Sequence, residues 1–150
     1  MRQQRRDFLA LVSLMAAAGL LPAGVVRAEE WNKSAFSAKS MDDLLRILSA
    51  GAPKLSAEVV LIAPEIAENG AVVPVEIESK LPGTQSMAIL IEKNPNIFTA
   101  SFNIPNGTLP WVQTRVKMAE TCNVYVLVNA GGQFYYTTKE IKVTLGGCGG

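Results

Sequence analysis

Histidine is missing from all 150 residues, which removes the commonest metal ligand and the commonest general base. A nucleophilic triad built around imidazole therefore has no base to rest on. Cysteine occurs twice, at Cys122 and Cys148, far apart and outside any paired-cysteine motif. A zinc or copper site lacks its ligand set, and no metal is expected. The only glycine cluster, residues 146–150, has no helix behind it, so it is not a phosphate-binding loop. Asp42 with Asp43, and Glu76 with Glu78, read as a helix start and a solvated strand face rather than an acid/base pair. Charged residues make up 18% of the chain, and beyond residue 28 ten basic residues face twelve acidic ones. That balance leaves no basic footprint for nucleic acid. The expectation is a chain that is not an enzyme and holds no cofactor.

What is present begins with an export signal. Arg2, Arg5 and Arg6 make a positive region, Phe8 to Leu21 an apolar stretch, and Val26-Arg27-Ala28 a small-residue cleavage site. The apolar stretch is shorter than the ~20 residues a bilayer span requires, so no membrane anchor is expected. Arg5-Arg6, then Asp7, Phe8 and Leu9, resembles the twin-arginine motif of signals that export folded proteins. The reading is a signal peptide over 1–28, a periplasmic location and a mature chain of 122 residues.

The mature chain opens on a single helical stretch. Ser40 is its predicted N-cap, Asp42 and Asp43 lie in its first turn, and Met41, Leu44, Leu45 and Leu48 recur at helical spacing. Gly51 and Pro53 are expected to stop it. From Ala57 onward the pattern is that of strands. Apolar or alternating runs cover 58–63, 72–79, 86–92, 97–103, 111–118, 122–130 and 134–138, the last continuing through Ile141, Val143 and Leu145. Pro74 cannot donate to a ladder, which points to an edge or a bulge. Gly131-Gly132 is a two-residue hairpin signal. About seven short strands, with turns every ~8–12 residues, predict an all-β, immunoglobulin-like antiparallel sandwich with a short N-terminal helix over residues 29–145.

Residues 146–150, Gly-Gly-Cys-Gly-Gly, are expected to form a flexible tail. Glycines on both sides leave the Cys148 thiol sterically bare and give it reach, so it could enter a narrow cleft. Free cysteine has a pKa near ~8.5, and no cation or helix N-terminus in the tail lowers it. Activation must then come from a partner. Cys122 begins an apolar strand and reads as a small buried hydrophobe, with a disulfide to Cys148 as the alternative.

The closing pentapeptide, with "KEIKVTLGGCGG" and "TRVKMAETCNVYVLV" leading to it, resembles the SoxY family, the sulfur-carrying subunits of periplasmic thiosulfate oxidation. The resemblance implies covalent attachment of sulfur intermediates at Cys148, with Gly146, Gly147, Gly149 and Gly150 supplying reach and clearance. It implies a heterodimer with a SoxZ-like β-sandwich subunit. It implies service to a haem-containing SoxAX-type enzyme, a SoxB-type hydrolase and, in many systems, a SoxCD-type dehydrogenase. Two other readings remain at this point: a redox protein cycling a Cys122–Cys148 disulfide, and an exported binding module with a spare tail.

Overall fold

Strands 5 and 8 explain the fold, because they are buried on both faces. In the computed structural model, which describes residues 32–145, β5 (Thr84–Ile91) and β8 (Cys122–Ala130) pair antiparallel at the middle of the larger sheet. Met87, Ile89, Ile91, Val124, Val126 and Val128 point into the sandwich, while Ala88, Leu90 and Leu127 point the other way under a helical layer. Two buried faces turn a strand into a near-continuous apolar run, and "MAILI" and "VYVLV" read that way.

The larger sheet runs β1-β9-β8-β5-β6, and the smaller runs β2-β4-β7. The remaining ranges are β1 (Lys54–Leu55), β2 (Val59–Ile62), β3 (Ile66–Ala67), β4 (Val73–Ser79), β6 (Phe98–Asn103), β7 (Trp111–Val116) and β9 (Gln133–Val143). Val73, Val75 and Ile77 of β4 and Val116 of β7 close the core from the smaller sheet. Their neighbours Glu76, Glu78, Trp111 and Gln113 share the outer face, where the Trp111 indole N–H donates to Glu76 at 2.9 Å. The β8–β9 hairpin turns at Gly131 and Gly132, whose φ values of 59° and 80° fit a turn that needs the left-handed region at both positions.

The all-β sandwich is as expected, with four local differences. There are nine strands among the described residues rather than about seven; β1 and β3 have two residues each, too few to show a period. Both pair parallel with β9, so the sandwich is antiparallel except along that one edge. The last run continues as expected but ends as a strand at Val143, short of Leu145. Pro74 lies in the central strand of its sheet, but the β2 ladder stops at Glu76, so on that side Pro74 has no partner to disappoint.

The helical stretch is two helices, α1 (Lys33–Ser37) and α2 (Met41–Ile47). Ala38 is extended, as is Ser40, which must leave helical geometry for its hydroxyl to accept the Asp43 N–H at 3.1 Å. The cap therefore breaks the helix it begins. α2 ends at Ile47, four residues before Gly51, with Ser49 already at a φ of 53°. Leu44 is wholly buried, and Phe36 meets Phe98 edge-on at 4.7 Å. The apolar stripe is core, set against the outer face of the larger sheet. No helix among the described residues is long and apolar enough to cross a membrane.

Candidate functional site

Cys148, Gly146, Gly147, Gly149 and Gly150 lie outside the described residues, as do the expected signal peptide and Trp31. The structure shows the point from which that thiol-bearing segment starts, and this point is held firmly. β9 leaves the hairpin, crosses the sheet and ends at Val143. Since β8 occupies one edge of β9, β1 and β3 both pair with the other, at Tyr135–Tyr136 and at Lys142–Val143. Beyond β3 the chain turns at Asn69-Gly70, where Asn69 Oδ1 accepts the Ala71 N–H at 2.9 Å. This loop clasps the end of β9. The Thr144 N–H donates to the Ala67 carbonyl at 3.1 Å, its hydroxyl to the Glu68 carbonyl at 3.1 Å, and the Gly70 N–H to the Leu145 carbonyl at 2.8 Å. On the opposite side the Val143 N–H donates to Thr121 Oγ1 at 2.9 Å. Chain direction is thus fixed through Leu145. The sequence reading missed this clasp; its one local signal was the Asn-Gly pair.

Cys122 is the thiol that the structure describes. It opens β8 opposite Ile141, is 4% exposed and lies in the core between the sheets. Burial pushes its pKa up from the ordinary 9.0; the Lys93 backbone N–H pulls the other way, and the charge of Glu92 adds to the rise. A neutral, enclosed thiol is a poor nucleophile and a poor disulfide partner. Bridging it would require Cα atoms about 4.4–6.8 Å apart and an exposed Sγ, hence an opening of the core. The expected reading of Cys122 as a buried hydrophobe stands.

One titration test follows. The unfolded chain ionises Cys122 in the ordinary thiol range, whereas the folded protein holds the proton to higher pH. Its contribution to stability is complete below that range and is lost as pH rises through the folded pKa. The melting temperature of the wild type should fall more steeply above pH 9 than that of Cys122→Ala. Parallel curves would show that the thiol is not buried in solution.

A cleft of about 540 Å³ opens between α2, residues 51–53 and the outer face of the larger sheet, lined by Leu90, Glu92, Tyr125, Leu127 and Tyr136 among others. Among the described residues no group of three His, Cys, Asp or Glu side chains could hold a metal ion.

Fold and site together define an immunoglobulin-like β-sandwich that anchors one strand end firmly, immediately before a glycine-flanked thiol. The family model "Sulfur oxidation protein SoxY" matches residues 46–148, a span that ends on Cys148. A solved structure of the sulfur carrier protein SoxY from Chlorobium limicola f thiosulfatophilum is 38% identical. Its alignment covers 73% of this chain and all of that one, with a TM-score of 0.62. No curated protein matches the chain. The chain belongs to the SoxY family of sulfur oxidation proteins.

Proposed function

We propose that this protein is a sulfur carrier of thiosulfate oxidation, holding its cargo covalently on Cys148 and presenting it to partner enzymes. The observation that carries the reading is the family match running from residue 46 to Cys148 itself, on a fold whose other thiol is enclosed in the core. In the loading step the Cys148 thiol loses its proton, and its sulfur joins the outer sulfur of thiosulfate. Two electrons leave to the haem enzyme that catalyses the coupling. Water then cleaves the terminal sulfur–sulfonate bond, releasing sulfate and leaving a persulfide on Cys148. The carrier supplies no base for either step; its part is to hold, extend and release. A SoxZ-like β-sandwich subunit is its expected heterodimer partner. The SoxAX-type, SoxB-type and SoxCD-type enzymes are its clients, and export over the twin-arginine route places it in the periplasm.

Intact-mass spectrometry of the protein incubated with thiosulfate and the haem enzyme tests the assignment. One thiosulfate adduct is expected, released by reductant and mapped by peptide analysis to Cys148. An unmodified protein, or an adduct on Cys122, would sink the reading.

A further inference from the structure

If Cys148 is the carrier residue proposed above, all of its reactions take place close to one spot on the protein surface. Cys148 is three residues past Leu145, so at about 3.3–3.6 Å per residue its Cα stays within roughly 11 Å of Leu145 however the glycines turn. Leu145 itself is fixed by the clasp, its carbonyl accepting from Gly70 at 2.8 Å and its neighbour Thr144 bonded to Ala67 and Glu68. An enzyme that reacts with the sulfur must bring its reacting atoms within that short radius. The mouth of its cleft then falls on the surface around Leu145.

That surface is apolar. Leu145 is 71% exposed, Ile66 58% and Val72 51%; Leu145 follows the end of β9, Ile66 lies in β3 paired beside that end, and Val72 closes the clasping loop. Ile66 stands beside Lys142 on the free edge of β9, and the Val72 N–H closes the same loop onto the Asn69 carbonyl at 3.2 Å. Exposed Glu65, Glu68 and Lys142 supply charge around them. Apolar side chains scattered singly on a surface need no explanation. Three of them at the one chain exit that leads to the thiol, with charged neighbours, have the composition of a small interface with an apolar centre and a polar rim.

We infer that Ile66, Val72 and Leu145 form a docking collar for the enzymes that act on Cys148. The occupant is a protein whose active site lies no deeper than about 11 Å below an apolar rim. The rim seats on the collar while the tail fills the cleft. Ordering a glycine-rich segment costs conformational entropy on binding; burial of the collar offsets that cost with contacts that do not depend on which sulfur species the tail carries. One collar also admits one enzyme at a time, so successive enzymes compete for it.

The test uses the full-length protein in complex with its β-sandwich partner subunit, and the haem enzyme that loads thiosulfate. The triple variant Ile66→Ser, Val72→Ser, Leu145→Ser should raise the KM for the carrier by about tenfold and leave kcat within about twofold. Its rate of Cys148 alkylation by iodoacetamide should equal that of the wild type. Leu145→Ser alone, beyond the last strand, should raise KM in the same direction with an unchanged melting temperature, which separates docking from folding. An unchanged KM in both variants overturns the collar and leaves the carrier reading intact, because wild-type loading is measured in the same assay. A wild type that takes up no sulfur at Cys148 overturns both. Loss of the complex with the partner subunit assigns the patch to that subunit and overturns the proposal, as does altered alkylation, which would mean that the substitutions act through the tail.

Discussion

Cys148→Ser is expected to reduce thiosulfate-dependent turnover to background while leaving the melting temperature and partner binding at wild-type values. Serine retains the shape of the side chain but not a nucleophile that can form a sulfur–sulfur bond. Position 148 lies three residues beyond Leu145, the last described residue bonded to the clasp, and the fold is expected not to register the change. Cys122→Ser should behave in the opposite way. Its hydroxyl would be enclosed among Val124, Ile141 and their neighbours, with the Lys93 backbone N–H beside it, at a cost of ~1 kcal/mol, while turnover persists. Turnover that requires both cysteines would favour the redox-cycling reading, and turnover that survives Cys148→Ser would overturn that reading and the carrier reading alike. Activity assays and thermal melts on the two single variants decide the matter.

The next largest effect is expected from replacing Gly147 and Gly149 with valine. The sulfur and its intrinsic pKa are untouched, but two β-branched side chains would flank it, stiff about χ1 and wide at Cβ. In a cleft that must admit the tail edgewise, displacement of the sulfur by even about 1 Å is enough for a loss on the order of 100-fold. Loading by the haem enzyme should fall by that factor, with alkylation by a small reagent nearly unchanged. A valine variant loaded at the normal rate would mean that the glycines are not there for access, even with Cys148 as the acceptor.

Much of the sandwich was legible in the sequence because strand burial writes a pattern. Val73, Val75 and Ile77 alternate with Pro74, Glu76 and Glu78 because one face of β4 meets the core and the other meets water. The hairpin at Gly131-Gly132 was legible because both positions need positive φ. Less could be read where pairing is not repeated over several residues. Two-residue β1 and β3 owe their existence to the free edge of β9, an edge that exists only once the sheet has assembled. The helix α1 was not legible for a related reason: its five residues are too few to show an apolar period, whereas α2 was marked by its Ser40 cap and the spacing of Met41, Leu44 and Leu45.

The sequence by itself determined the chemistry available to this protein. Lacking histidine and any metal-ligand cluster motif, the chain is left with one glycine-flanked thiol, and the types and order of its residues establish that without coordinates. Only the tertiary structure decided where Cys122 lies, in the core between the sheets. Sheet packing removes Cys122 from water and raises the cost of its thiolate, where the apolar run it opens had left a disulfide as the alternative. Likewise, Thr144 and Leu145 form a fixed root because a loop some 75 residues earlier in the chain bonds to them. Hydrogen bonds of such long sequence separation depend on the folded topology, and a one-dimensional pattern does not carry it.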